Sequence, residues 1–580
     1  MRIGVNLIPL RPGQMGGAEI YFRDLLAGLL EQGDHEYVLI TADYNHLTLP
    51  EDSARCRRVL FAREGGGGVG RQWIFPLFSR LGRGLQWLRV RYRRYVPAPL
   101  RALLRPVVRP IPRALELGLG WVRGRRWRRR AEGLRDLIRR ERLDLWFCPF
   151  TNLEPIICPV PAVITVHDIQ HEYYPEFFHP DELRHRAHFY PASCAAADKI
   201  IAVSEFTRRC VLEKYDVEPD AVSTIWEAAG SDFDWRGAGA LVPAVRQKYA
   251  LPADYVLYPA NTWHHKNHQR LIEALARYRD VYGEAPPLVL TGVGKEGQAR
   301  LESAIEAHGL GGVVRTLGYV PRDEMPTLYA GASCLAFPSL FEGFGIPLVE
   351  AMLAGCPIAA ANVASIPEVA GDAAVLFDPM DPADICRALG AILRDPELAA
   401  DLRRRGRARA ALFSASRTAT LTLGLFERAV RDGRTQSRRP GREMIGVEGV
   451  YADGWMDGEA VLALAGRTLA SVEIEGHLPE IGLLLPQEVA VQVLGQQAQV
   501  LVLTTPGPFC VRVPLLPDGA SPGAWDVSLR LSRTFCPMAH GLSEDSRDLS
   551  VQLLRVRART HDGREVLKTL GPAAAGREGR

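Results

Sequence analysis

The ten cysteines of this 580-residue chain include no C-x-x-C pair. That argues against a zinc ribbon or a disulfide framework and suits a reducing compartment. No uninterrupted apolar run approaches the roughly 20 residues of a membrane span. The opening Met1-Arg-Ile-Gly-Val-Asn-Leu-Ile-Pro-Leu10 is too short for a signal peptide, and Pro9, Arg11 and Gly13 break it too soon. The expectation is therefore a cytoplasmic protein. Lysine is absent between residues 71 and 142, but charge is not: that stretch holds 21 Arg against four acids, Glu116, Glu132, Asp136 and Glu141. Its balance is +17, so a chain of net charge +4 keeps −13 elsewhere.

The basic stretch interleaves its arginines with Trp73, Phe75, Phe78, Trp87, Trp121 and Trp127. Basic, Trp-containing amphipathic segments lie at anionic membrane surfaces. A peripheral place on the inner face of a membrane is one reading, and a solvated insertion is the other. Nucleic acid is not an expected partner, because no nucleic-acid-binding motif accompanies the charge.

Outside that insertion, apolar runs alternate with helical patterns, as in parallel α/β folds. Ile3–Ile8 reads as a first strand, followed by Gly13, Gly16 and Gly17 and a helix over Ala18–Leu30. This loop lacks the G-x-G-x-x-G dinucleotide fingerprint. Its glycines still let a ligand approach the backbone, or simply make a tight turn. Tyr37–Thr41, Leu143–Phe147, Ala162–Val166 and Lys199–Ser204 read as further strands. His167 and Asp168 follow Ala162–Val166 directly, and ligands of open parallel sheets sit at the carboxyl ends of strands. Ser204 suits a helix cap.

A Gly-, Ala- and Pro-rich break near 230–251 precedes a second series. Its strands read as Tyr255–Tyr258, Pro287–Thr291, Val313–Val320, Cys334–Phe337, Pro357–Ala361 and Ala374–Phe377. Lys266 falls in the loop after the first of them, where a cation can meet a phosphate. Gly292 opens the loop after the second. After Cys334–Phe337 comes Glu342-Gly-Phe-Gly-Ile-Pro-Leu-Val-Glu350. Pro347 suits the first position of a helix and Gly355 its stop. A helix N-terminus beside glycines binds anions. Two flanking carboxylates make sense there if they hydrogen-bond hydroxyls on either side of a diphosphate. Beyond a polar linker, short alternating runs from about residue 446 to 575 suggest a β-sandwich.

Taken together, these motifs resemble the GT-B-fold retaining glycosyltransferases of glycosyltransferase family 4 over roughly residues 1–425, apart from the insertion at 71–142. Glu342 to Glu350 looks like the family's E-x7-E motif, Gly16-Gly17 like its acceptor-side glycine loop, and Thr165–Asp168 and Ile201–Phe206 like its strand ends. The resemblance implies two Rossmann-like parallel-sheet domains facing a cleft, plus the C-terminal all-β domain. The expected division is 1–235 (acceptor side), 236–425 (donor binding), 426–445 (linker) and 446–575 (β-sandwich-like).

The resemblance also implies roles. Glu342, His167 and Lys266 would be catalytic, contacting donor-sugar hydroxyls, the transferred sugar and the leaving diphosphate. The backbone of Gly343, Phe344, Gly345 and Ile346 would hold sugar and diphosphate. Glu350 would take the ribose diol, with Asn261 and Gly292 also on the donor side, and Asp168 joining the glycines on the acceptor side. The implied partners are a nucleotide-sugar, such as GDP-mannose or a UDP-sugar, and a glycan or lipid-linked acceptor in surface-polysaccharide biosynthesis. No cofactor or metal is expected. Two departures stand out. Asn261 occupies the place of a frequent Arg, for which His264 and His265 are the nearby substitutes, and Trp226–Gly230 replaces a common Asn-Gly-Val-Asp turn. A non-catalytic carbohydrate-binding or assembly protein, and a GT-B epimerase or phosphorylase, are the alternatives.

Overall fold

A computed structural model describes residues 1–62, 130–156, 158–229, 233, 235–436, 444–450, 456–465, 469–480, 484–493, 498–515, 524–532, 551–560 and 565–569. Most of the basic stretch, Gly230 and linker residues 437–443 lie outside them. The chain divides into two compact units. The first comprises Met1–Met15, His35–Phe147 and Cys158–Val160; the second comprises Gly16–Asp34, Cys148–Ile157 and Pro161–Arg580.

In the first unit, β1 (Arg2–Asn6), β2 (Glu36–Ala42), β3 (Cys56–Ala62) and β4 (Leu145–Cys148) lie in the order β3-β2-β1-β4. Every pairing among them is parallel. Parallel strands are covered on both faces, so they are apolar throughout. Accordingly, β4 is buried at all four positions.

The second unit opens with α1 (Gly17–Glu31) and holds β5 (Ala162–Val166), β6 (Lys199–Ala202) and β7 (Val222–Thr224), again parallel. Ser204 caps α2 (Glu205–Lys214), its hydroxyl accepting from the Thr207 N–H as the sequence predicts. The second parallel sheet follows: β8 (Val256–Pro259), β9 (Leu288–Thr291), β10 (Val314–Thr316), β11 (Cys334–Phe337), β12 (Ile358–Ala361) and β13 (Ala374–Phe377). Its order is β10-β9-β8-β11-β12-β13. The direction of winding reverses between β8 and β11, and crevices at such switch points take ligands. Lys266 leaves β8 and Glu342 leaves β11. The core beneath them includes Leu257, Leu275, Leu335, Phe337, Val349 and Leu389.

Several expected boundaries shift. The strand expected over Val313–Val320 is only β10, because Gly318 takes φ +69° and turns the chain. Helix α3 (His268–Tyr282) follows the Lys266 loop. Helix α4 (Ile346–Ala354) starts at Ile346, so Pro347 takes the second helical position rather than the first. Gly355 ends it at φ +71°, as expected. Beyond α5 (Ile366–Ala370), helix α6 (Ala415–Gln436) continues well past 426, where the linker was expected to begin.

The C-terminal region forms two antiparallel sheets, β14-β15-β20-β17-β18 and β19-β16-β21-β22. Its strands are β14 (Met444–Val450), β15 (Met456–Ala465), β16 (Leu469–Leu478), β17 (Gln487–Val493), β18 (Gln499–Leu503), β19 (Gly507–Pro514), β20 (Ala524–Leu531), β21 (Gln552–Thr560) and β22 (Glu565–Thr569). Leu462, Val491 and Leu529 of one sheet share a core with Val472, Ile474 and Val556 of the other, the arrangement of a sandwich. The fold is GT-B: two parallel Rossmann-like sheets, here with an added antiparallel region. Among the described residues, no helix is long and apolar enough to cross a membrane.

Candidate functional site

The loop between β11 and α4 is held from several sides within the second unit. The Ser365 hydroxyl bonds the carbonyls of Glu342 and Phe344, both at 2.9 Å. Ser204 and Thr207 of α2 donate to the Gly343 carbonyl at 2.6 and 3.1 Å. A Cβ at Gly343 would stand 1.7 Å from the His167 carbonyl oxygen, so only glycine fits. Gly345 has φ +105° and sets the entry to α4. Among the described residues, the N–H groups of Gly343, Phe344, Gly345 and Ile346 donate to no other group of the chain. They form a row of free donors at the positive end of a helix.

Beside that row, Lys266 Nζ lies 2.6 Å from Glu342 Oε1. The Lys266 loop is fixed by the Tyr258 hydroxyl on the Lys266 carbonyl at 2.6 Å and by the Asn267 amide on the carbonyls of Pro338 and Pro379. At the other end of the motif, Glu350 is only 4% exposed. The Tyr329 hydroxyl donates to its Oε2 at 2.7 Å and Arg322 pairs with Oε1. A carboxylate has about four lone-pair sites, so each oxygen keeps accepting capacity.

His167 follows β5 and reaches this loop through its carbonyl, next to Gly343. Its ring is held on both sides. Nδ1 is 2.8 Å from Glu227 Oε1, and Nε2 is 3.0 Å from the Pro149 carbonyl. That carbonyl can only accept, so Nε2 carries a proton. Burial by itself pushes the imidazole down; the Glu227 carboxylate and the Pro149 carbonyl pull it up more, and its pKa ends above the usual histidine value. Both nitrogens face acceptors, so the doubly donating, charged form is favoured more than in an ordinary histidine. The ring's edge meets the Tyr21 ring, with centroids 5.0 Å apart. Tyr21 is anchored in turn by β5, its hydroxyl 3.1 Å from Thr165 Oγ1. Glu227 is placed by its neighbour: Trp226 Nε1 donates to Glu368 at 2.7 Å, and Thr418 holds the Trp226 carbonyl at 2.9 Å.

The structure brings most of the expected site residues together. His167 meets Gly343, Lys266 meets Glu342, and a Cβ at Gly17 would stand 3.4 Å from Ile346 Cδ1. A Cβ at Gly16, in contrast, would meet open space. Asp168 caps its own turn, accepting from the Gln170 N–H at 3.0 Å, with Arg186 at 3.7 Å. Asn261 also has a structural bond, accepting from the Val293 N–H at 2.7 Å. Gly292, at φ +117°, lies so close to the Ala260–Asn261 backbone that a Cβ would stand 2.7 Å from it. Burial, and then Lys266, hold His265 well below the usual histidine range, which favours its neutral form. The expectation of no metal passed over one Asp-x-Asp sequence, Asp232-Phe-Asp234, whose aspartates lie outside the described residues. Among the described residues, no group of three or more His, Cys, Asp or Glu could hold a metal ion.

Sequence reasoning missed Glu227, Arg322 and Tyr329. The only signal for Glu227 was the replaced turn at Trp226–Gly230. The pairing itself joins residues 60 positions apart and is invisible to local patterns.

Residues 244–409 match the family model described as glycosyl transferases group 1, and residues 80–228 match that of glycosyltransferase family 4. The chain is 33% identical over 267 residues to the O-antigen chain mannosyltransferase B of Escherichia coli, covering 46% of this chain and 70% of that protein. It is 32% identical over 243 residues to the serotype-specific mannosyltransferase WbdA of Escherichia coli, covering 41% of this chain but only 30% of that one. In fold it is similar to sucrose-phosphate synthase from Thermosynechococcus elongatus, with TM-score 0.53, 18% identity, and coverage of 74% of this chain and 100% of that one. The chain belongs to glycosyltransferase family 4, the group 1 glycosyl transferases of GT-B fold.

Proposed function

We propose that this glycosyltransferase moves a sugar, with retention, from a nucleotide-sugar to a growing glycan or lipid-linked acceptor in surface-polysaccharide biosynthesis. Mannose from GDP-mannose is the favoured donor sugar, since the relatives just described are named as mannosyltransferases; a UDP-sugar is the alternative. In this reading 236–425 binds the donor and 1–235 faces the acceptor. The observation that carries it is the Lys266–Glu342 pair beside the free N–H row of Gly343–Ile346.

In the reaction, the bond from the anomeric carbon to the diphosphate oxygen breaks. The acceptor oxygen bonds that carbon on the same face, and the acceptor proton passes to the departing diphosphate. Lys266 and the N-terminus of α4 stabilise the charge that develops there. Glu342 turns from Lys266 to the hydroxyls of the sugar, while Glu350 takes the ribose diol. Gly292 and Asn261 shape the donor loop. His167, with both nitrogens committed, acts as a fixed cation in the wall of the site rather than as a base. Gly16, Gly17 and Asp168 border the acceptor.

A screen of purified full-length protein against GDP-, UDP- and ADP-sugars with lipid-linked acceptors tests this. One donor is expected to give transfer with the anomeric configuration kept. Inversion, or no transfer and no donor binding by calorimetry, overturns it. The basic stretch at 71–142 is proposed to dock on anionic membrane, keeping the enzyme on the inner face. Pelleting with anionic vesicles should then fall as salt rises, and equal pelleting with neutral vesicles would count against it.

A further inference from the structure

The segment that leaves β5 after His167 and Asp168 carries an aromatic cluster that none of the roles above uses. The rings of Tyr174 and Phe177 are stacked, with centroids 5.1 Å apart and planes 1° from parallel. Tyr174 meets the buried Phe341 edge-on at 6.0 Å, and Phe177 lies 6.1 Å from the His264 ring. Phe341 immediately precedes Glu342, and His264 stands two residues before Lys266. The pair therefore packs against the residue that precedes Glu342 and against a residue of the Lys266 loop. Both rings are half-buried, so they are held in place and still present surface.

Polar groups on the same segment, and the His264 ring beside Phe177, lack hydrogen-bond partners among the described residues. Among the described residues, the Tyr174 hydroxyl, the Glu176 carboxylate and the His264 ring nitrogens take part in no hydrogen bond. Tyr173 next door differs, since its hydroxyl donates to Glu213 at 3.0 Å. An aromatic face with a negative quadrupole attracts the C–H face of a pyranose. A phenol, a carboxylate and an imidazole beside it can bond the ring's hydroxyls.

We propose that Tyr174 and Phe177 form a stacking platform for the terminal pyranose of the acceptor glycan, with Glu176 and His264 bonding its hydroxyls. The occupant follows from position. The platform packs against Phe341, next to Glu342 at the sugar end of the site, and lies on the segment that follows His167 and Asp168. A nucleotide base lies beyond the diphosphate, at the Glu350 end. This inference rests on the transfer reaction proposed above, and its test separates the two.

The test compares wild type, Phe177→Ala and Phe177→Trp as full-length protein, using α-linked manno-oligosaccharides as acceptor probes and GDP as the donor-side probe. Phe177→Ala should raise the acceptor KM about tenfold, leaving kcat and donor KM near wild type. Phe177→Trp should restore most of the affinity. Saturation-transfer NMR should show oligosaccharide binding lost in Phe177→Ala and GDP binding kept. Unchanged acceptor KM with intact transfer overturns the platform alone. Oligosaccharide binding that depends on Phe177, in a protein that transfers no sugar, overturns the transfer reaction alone. A raised donor KM in place of acceptor KM assigns the rings to the nucleotide and overturns the platform, as does a wild type that binds no oligosaccharide.

Discussion

The second parallel sheet and the C-terminal sandwich bury their strands differently. Strands β9, β11 and β12 are buried at every position. Strand β19 alternates buried and exposed residues along most of its length, and β17 is buried at every second position. Strands covered on both faces have no room for polar chemistry along their length, so it collects at their carboxyl ends. Lys266 and Glu342 sit there. In the sandwich one face is open to water, and its charges spread over that face in pairs such as Arg557–Glu475 at 2.9 Å and Arg559–Glu565 at 2.7 Å. Concentrated and dispersed charge should respond to mutation very differently.

The largest effect is expected at Lys266. Lys266→Ala should lower kcat/KM by about a hundredfold to a thousandfold, the usual result of removing one donor to developing charge. Steady-state kinetics with the identified donor checks it, and a loss under tenfold would mean that charge is not concentrated at this strand end.

Glu227→Gln should have a middle-sized effect with a clear sign. Glu227 raises the His167 pKa, so the imidazolium persists to higher pH. Its stabilising contribution is full below the unfolded histidine pKa and is lost as pH rises through the folded one. Without the carboxylate, burial dominates and the pKa falls. The alkaline limb of the kcat/KM profile should therefore move to lower pH, and an unmoved limb would show that His167 does not act as a cation. The smallest effect is expected on the sandwich. Arg557→Ala should change thermal stability by less than about 1 kcal/mol and leave transfer unchanged. A large loss of transfer there would show that the dispersed charges serve the reaction.

Much of this architecture was legible in the sequence. Ala162–Val166, Cys334–Phe337 and Ala374–Phe377 were read with the bounds of β5, β11 and β13, because strands of a covered parallel sheet are continuous apolar runs. The Ser204 cap and the Gly355 stop were readable for a similarly local reason: each satisfies backbone groups within a few residues. In the sandwich, β14 and β22 are the strands least legible in the sequence. Met444–Val450 has two glycines and Glu565–Thr569 two charged residues, which blur the strand pattern.

By itself the sequence determined most of the parallel strands, though not β3 or β7, together with the loops at their ends and the residue types those loops carry, because these depend on burial and capping over short spans. Only the tertiary structure decided which loops meet. It paired Lys266 with Glu342, closed Arg322 and Tyr329 on Glu350, and set Glu227 against His167. Those contacts join residues 21 to 76 positions apart, and a hydrogen bond at such separation is fixed by how the elements pack, not by any local pattern.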